Sequence, residues 1–375
     1  MKITIIATHY LPHIGGLELA TYHLANELSK QYNDVHIITP YPDNKNNDTT
    51  TNITTHRHPI NTYPDEQKLC AFIDGLSFFK KTLKTIKELR PDITHSQNIT
   101  NSIPAYLAWK KYQIPYVICI HGNLELMGPF LPQPLKRFWK KLPHIKSASE
   151  IIALTPEMGT QIERELGRKP AIIPNGLDLD TFYPSFEKKK YSNNPTIITL
   201  SRIDDKKGLE YAIQSMPKIQ EHYPNTILKI VGDGDYRVVL EKLVEEMGLE
   251  KSVEFTGLIP NTDVPNYLRD ADLFLIPSLT EGFSLTALEA IACGLPLIST
   301  PVGVVPEIIG EWNNGIIVPF KSPDAIADAV ITLLSNTELR EKYANNSANA
   351  AKETMSWKSV AEQYIALYQS IIDLN

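Results

Sequence analysis

Hydrophobic and polar positions along this chain follow two periods that take turns. Ile3-Thr4-Ile5-Ile6 is an apolar run of strand length, after which Leu17, Ala20, Leu24 and Leu28 recur at helical spacing. Further short strands are predicted at Val35–Ile38, Asp92–Thr94, Tyr116–Ile120 and Ile151–Leu154. Strands alternating with helices imply βαβ units around a parallel sheet. Tyr41 to Thr55 is polar, rich in Asn, Asp and Thr, and reads as a loop. The alternation pauses from Phe182 to Pro195, which is charged and turn-rich, and restarts with Ile197–Leu200, Ile227–Val231, Val253–Phe255, Leu273–Ile276 and Leu297–Ser299. The expected architecture is α/β: two doubly wound parallel sheets, 1–183 and 184–355, followed by a helix at 356–375. That helix carries an apolar stripe at Trp357, Val360, Tyr364, Leu367, Tyr368 and Ile371. Two such Rossmann-like sheets facing each other would leave an interdomain cleft where their strand C-termini meet, the usual ligand position in open α/β sheets.

Composition narrows the classes. At 375 residues the chain is too long for one ordinary core, and a net charge of −6 argues against general nucleic-acid binding. Any phosphate site must then come from a few local cations and backbone amides. Cys70, Cys119 and Cys293 are scattered and odd in number, which suits a reducing, cytoplasmic setting. The opening MKITIIATHY is too short for a signal peptide and reads as a buried strand. No apolar stretch approaches the roughly 20 residues that span a bilayer. Membrane contact would therefore be peripheral, on the inner face. One segment suits it: 135–146, LKRFWKKLPHIK, sets Lys136, Arg137, Lys140 and Lys141 beside Phe138, Trp139 and Leu142, with Pro143 expected to end the helix. The competing reading is a surface helix whose aromatics pack inward.

Chemistry-bearing residues cluster at predicted strand ends. Pro277 to Ala290 runs from a strand through a polar turn into a helix. A helix start there would offer the amides of Ser284, Leu285 and Thr286 to an anion, and Gly282 beside Phe283 would let it approach closely. Glu281 stands just before this helix and Glu289 two turns inside it, where two carboxylates could hold hydroxyls on two sugars flanking a diphosphate. Alone, they read rather as a dipole-favoured acid and a solvated residue, although apolar Leu285, Leu288, Ile291 and Ala292 weigh against a solvated Glu289. Arg202 and Lys207 follow the strand 197–200, and a guanidinium with an ammonium suits a departing diphosphate, unless Asp204 and Asp205 simply pair with them. Gly15 and Gly16 lie between the first strand and first helix. Gly232-Asp233-Gly234 follows another strand, but Arg237 stands where a dinucleotide fingerprint needs its third glycine. Asp233 and Asp235 imitate a metal-binding pair, with no acidic or histidine cluster nearby to complete it. His121 closes the strand 116–120.

Together these residues resemble the family 4 retaining glycosyltransferases of the GT-B fold, over nearly the whole chain. The match lies in the early glycine pair, His121-Gly122, Asn175-Gly176-Leu177-Asp178, Arg202-x4-Lys207, Gly232-x-Gly234, Gly257, and Glu281-x7-Glu289 within EGF and LEAIACGLP. The resemblance implies a nucleotide-diphosphate sugar as donor and a glycan, lipid-linked or small-molecule acceptor, with retention of configuration and no metal or other cofactor. By that resemblance Arg202 and Lys207 hold the diphosphate, and Glu281 the transferred sugar. Glu289 takes the ribose, the amides of Ser284–Thr286 the distal phosphate, and Gly16 its approach to the first domain. His121 lies near the reacting carbon, and the backbone at Leu258 and Ile259 meets the base. A nucleotide-sugar epimerase and a non-catalytic sugar-nucleotide-binding protein are the alternatives; both acidic and basic pairs weigh against the first, and the diphosphate cations with His121 against the second.

Overall fold

A computed structural model describes residues 1–11, 15–31, 33–41, 48–50, 53–59, 68–121, 142–185, 194–353 and 356–374. The chain forms two compact units, one of Met1–Gly176 with Met355–Asn375, the other of Leu177–Thr354.

The first unit holds an eight-stranded sheet: β1 (Lys2–Ile6), β2 (Asp34–Tyr41), β3 (Asp48–Thr50), β4 (Ile53–Pro59), β5 (Ile93–Ser96), β6 (Tyr116–Ile120), β7 (Glu150–Ala153) and β8 (Ala171–Ile172). Their spatial order is β3-β4-β2-β1-β5-β6-β7-β8, parallel except where β3 pairs antiparallel with β4. Helices α1 (Gly16–Lys30), α2 (Lys68–Leu89), α3 (Ser102–Tyr112), α4 (Pro143–Lys146) and α5 (Pro156–Leu166) join these strands. The central strands are runs of Ile and Val because layers cover both of their faces; Ile3, Ile5, Ile37, Val117 and Ile118 are wholly buried.

The second unit holds six parallel strands: β9 (Thr196–Leu200), β10 (Ile227–Val231), β11 (Val253–Gly257), β12 (Leu273–Ile276), β13 (Leu297–Ser299) and β14 (Gly315–Ile317). They are ordered β11-β10-β9-β12-β13-β14. Helices α6 (Leu209–His222), α7 (Arg237–Glu246), α8 (Val264–Asp270), α9 (Leu285–Ala292), α10 (Val305–Trp312), α11 (Pro323–Ser335) and α12 (Thr337–Glu353) cover this sheet. Its core gathers Ile197, Ile230, Leu273, Leu275 and Ile298 from the strands with Ile213, Met216, Val330 and Leu333 from α6 and α11.

The last helix, α13 (Trp357–Asp373), returns to the first unit and packs on α1. Ser356 caps it by accepting from the Ser359 amide at 3.3 Å. The sequence stripe is its inner face: Trp357, Val360, Tyr364, Tyr368 and Ile371 are buried. Trp357 stacks on His23 with ring centroids 5.7 Å apart. A Cβ on Gly176 would lie 2.6 Å from the Trp357 Cα, so only glycine lets the two chain segments touch there.

Two local expectations change. Tyr41–Thr55 is not all loop, for β3 and β4 form within it. Ile53 and Thr55 point inward while Thr54 and His56 are half-buried, and β-branched threonines fit such a pleat despite their polarity. The division between units falls at Gly176/Leu177 rather than at 183, since Phe182 is buried, Arg269 lies over the Tyr183 ring and Pro184 packs near Gly294. Pro143 opens the short helix α4. It occupies the first turn of α4, where its missing N–H costs nothing. The rest of the basic-aromatic segment, 135–141, lies outside the described residues, as do Gly122 and Asn123. Among the described residues no helix is long and apolar enough to cross a membrane.

Candidate functional site

In each sheet the strand order reverses beside the first strand of that unit, between β1 and β5 and between β9 and β12. A reversal splays neighbouring βα loops apart and opens a crevice at the strand C-termini. In the second unit the two loops at that point are 201–208 and 277–284, and they carry the predicted cations and carboxylates.

The loop after β9 is built by its own side chains. Asp204 accepts from the Lys206 amide at 3.0 Å and sets a single 3₁₀ turn over Asp205–Lys207. Gly208 ends the turn in the left-handed region, at φ 59°, with its missing Cβ 2.3 Å from the Pro277 carbonyl oxygen. The Leu279 amide donates to the Lys206 carbonyl at 2.7 Å. These contacts stitch the two loops together and bring Lys207 to Glu281. The Lys207 Nζ donates to both Glu281 carboxylate oxygens at 2.9 Å, and Ser278 Oγ donates to Oε1 at 2.7 Å. Both partners are largely shielded, so the pair is far less screened than a surface bridge. Arg202 differs. Its side chain is 80% exposed and meets Asp204 at 3.4 Å, so one of the acids weighed above does pair with it, weakly.

Helix α9 is nearly all apolar, with Ala287, Leu288, Ala290, Ile291 and Ala292 buried. Glu289 is thus drawn in with it and half-buried, not solvated. Desolvation, reinforced by the neighbouring Asp178 charge, pushes its pKa up to about 8. Gly282 and Phe283 form the turn before α9, Phe283 being buried, and Ser284, Leu285 and Thr286 open the helix. Leu258 and Ile259 follow β11, with Leu258 81% exposed.

Gly232 and Gly234 have a backbone reason to be glycine. A Cβ on Gly232 would fall 1.9 Å from the Ser201 carbonyl oxygen, and one on Gly234 2.3 Å from that of Ile203. Both residues have positive φ. They clamp the loop after β10 onto the Arg202 loop, helped by the Ile203 amide donating to the Asp233 carbonyl at 2.9 Å. The Asp233 carboxylate lies 3.7 Å from Arg237, which also binds Glu241. Among the described residues no group of three or more His, Cys, Asp and Glu could hold a metal ion.

In the first unit the matching crevice is polar. Thr8 Oγ1 accepts from Asn98 Nδ2 at 2.8 Å and Asn101 Nδ2 at 2.9 Å, tying the ends of β1 and β5. Gly15 caps α1 and Gly16 begins it, exposed. His121, at the end of β6, shares a hydrogen bond between its Nε2 and Gln97 Oε1. Burial lowers its pKa to about 4, which keeps the ring neutral. Gln97 was invisible to sequence reasoning: nothing in the chain's order links it to a histidine 24 positions away. A second buried histidine, His95, meets Tyr368 of α13 through Nδ1 at 2.6 Å, and burial lowers its pKa to about 3.

Two family models cover this chain. The model for Glycosyltransferase Family 4 matches residues 14–181, and that for Glycosyl transferases group 1 matches residues 184–350. An uncharacterized glycosyltransferase of Methanocaldococcus jannaschii is 28% identical over 392 residues, covering 100% of this chain and 99% of its own. The alpha-monoglucosyldiacylglycerol synthase of Acholeplasma laidlawii is 26% identical over 400 residues, covering 100% and 98%. Among solved structures, sucrose-phosphate synthase from Thermosynechococcus elongatus superposes with a TM-score of 0.88 at 21% identity, over 100% of both chains. Anabaena HepE in complex with UDP and glucose gives 0.78 at 20% identity, over 99% and 100%. These likenesses establish the same fold.

Proposed function

Because the chain belongs to the family 4 glycosyltransferases and shares their GT-B fold, we propose that it moves a sugar from a nucleotide-diphosphate donor to a glycan or lipid-linked acceptor, with retention. The observation that carries this reading is the stitching of two βα loops at the switch point of the second sheet. It sets Lys207, Glu281 and the first turn of α9 together, with Arg202 five residues before Lys207 on the same loop.

The proposed roles follow from what each group offers. Exposed Arg202 can swing onto a diphosphate, while Lys207 is held in place by Glu281. With the amides of Ser284, Leu285 and Thr286 they would take up the negative charge that grows on the diphosphate as the glycosidic bond breaks. That supplies the leaving-group stabilisation a divalent ion would otherwise give. Glu281 keeps acceptor capacity for sugar hydroxyls beyond its bond to Lys207. Glu289, with a raised pKa, can both accept from and donate to a ribose diol. Leu258 and Ile259 offer backbone near the base. In the first unit, neutral His121 and the Thr8–Asn98–Asn101 cluster suit hydroxyl-bearing groups. No residue among those described is placed as a covalent nucleophile, so attack on the donor's own face, assisted by the departing phosphate, is the mechanism proposed. The lipid named in the Acholeplasma relative supports a lipid-linked acceptor here.

The test is a thermal-shift screen of UDP-, GDP- and ADP-sugars, then transfer or hydrolysis assays on the hits. Arg202→Ala and Lys207→Ala should each cut turnover by about 100-fold with the fold intact. Unchanged turnover in both variants would remove the diphosphate assignment.

A further inference from the structure

Gln97 follows the last residue of β5, beside the strand-order reversal of the first sheet. Glutamine is mostly a surface residue, yet this one is only 1% exposed. Its amide donates to the Ile6 carbonyl of β1 at 3.0 Å. The next residue, Asn98, is tied by its side chain to Thr8 at the end of β1. The backbone around Gln97 is thus fixed to the neighbouring strand, and burial leaves its side chain little freedom. That side chain offers Oε1 to the Nε2 of His121 at the end of β6, the strand that pairs with β5 on its other side. A buried amide needs a partner, and here the partner is a ring nitrogen that exists in two tautomers.

An amide oxygen only accepts, so the Nε2 of His121 carries the hydrogen. A neutral imidazole has one N–H, and holding it on Nε2 leaves Nδ1 as an acceptor. Among the described residues no charge competes for the ring, and desolvation alone lowers its pKa to about 4. His95 on β5 is close enough to feel His121, but burial lowers its own pKa to about 3. Tyr368 of α13 bonds to His95, and Tyr364 of α13 to Cys119 of β6; burial raises the pKa of all three. Every one of these groups is neutral at neutral pH, so the ring answers to Gln97. His121 is half-buried, and its Nδ1 has no hydrogen-bond partner among the described residues. We propose that Gln97 is a positioning residue: it holds His121 as the Nε2–H tautomer, so that Nδ1 accepts a hydrogen bond from a hydroxyl of the bound sugar, a role that rests on the donor reading above. An acceptor nitrogen gives nothing to a phosphate or carboxylate oxygen, so the pair selects a neutral hydroxyl at that place.

Nitrogen NMR of the full chain labelled at histidine reads the tautomer directly, because protonated and bare ring nitrogens resonate far apart; His121→Ala assigns the signal. Wild type should show the hydrogen on Nε2 and a bare Nδ1 at neutral pH. In Gln97→Leu the two tautomers should mix, and kcat/KM for sugar transfer should fall about tenfold, the effect of roughly one hydrogen bond. Gln97→Glu keeps the test decisive if the leucine variant misfolds. Its carboxylate restores an acceptor to Nε2–H but also favours the imidazolium, whose Nδ1 is a donor. Turnover of Gln97→Glu relative to wild type should then recover in mild alkali and fall about tenfold between about pH 8 and about pH 5. A side chain that merely fills space predicts the opposite trend, since a buried carboxylate is hardest to accommodate where it is ionised. Hydrogen on Nδ1 in the wild-type ring, or full activity in Gln97→Leu, would overturn the proposal and leave the donor assignment standing. So would a loss in Gln97→Glu that deepens toward alkaline pH. A wild-type chain that transfers no sugar from any nucleotide donor would overturn both.

Discussion

Glu289→Gln should stabilise this protein, and by an amount that depends on pH. In the folded chain desolvation, with Asp178 nearby, lifts the Glu289 pKa from 4.5 to about 8. The folded state therefore holds a proton that the unfolded chain has already lost between those values. Stability falls as pH rises through that window, and above about 8 the whole penalty is present. Taken whole, such a rise is worth roughly 5 kcal/mol, and the partial exposure of the side chain screens it to about 2–3 kcal/mol. Glutamine keeps the shape and never ionises. The stability gap between the Glu289→Gln variant and wild type should thus be small near pH 5 and widen by about 2–3 kcal/mol by about pH 8.5. Urea unfolding of both proteins across that range measures it, since every other titrating group cancels in the difference. Asp178→Asn supplies a second arm, because removing the like charge should shrink the widening. A gap that stays constant with pH would show that Glu289 ionises in the fold as it does in an unfolded chain, and that the apolar face of α9 does not desolvate it.

Three further outcomes are expected. Activity should persist in EDTA, because Arg202, Lys207 and the α9 amides are proposed to carry the leaving-group charge; loss restored by Mg²⁺ or Mn²⁺ would return attention to Asp233 and Asp235. NMR of the first product formed should show the anomer of the donor, and the opposite anomer would refute front-face transfer. The sequence of 135–146 predicts co-sedimentation with anionic vesicles that weakens in high salt and in the Lys140→Glu/Lys141→Glu double variant. Wild-type protein left in the supernatant at low salt would point to a soluble acceptor.

The layered α/β fold was legible because buried parallel strands are written as short Ile- and Val-rich runs, which few other elements imitate. Strand β4 escaped because threonine and histidine can line a half-buried pleat while looking like loop. The loops of the site were legible as motifs, but their reasons for being there were not. Gly232 and Gly234 suggested a ligand, yet the Ser201 and Ile203 carbonyls already exclude any side chain at either position. Glu289 looked ambivalent because nothing adjacent in sequence says that Asp178 lies near it. The Gln97–His121 bond is a product of tertiary packing, and no local period encodes it.

The return of α13 to the first unit makes the second unit an insertion in it. On the ribosome, residues 1–176 emerge first but lack the helix that covers His95 and Cys119 through Tyr368 and Tyr364. Residues 177–354 emerge whole and can finish while the earlier segment still waits. A nascent chain halted before Trp357 would leave its first-made half as the sticky one, because the helix that covers His95 and Cys119 is still missing. Cutting after residue 354 would not trim a tail; it would strip the oldest part of the chain of its lid.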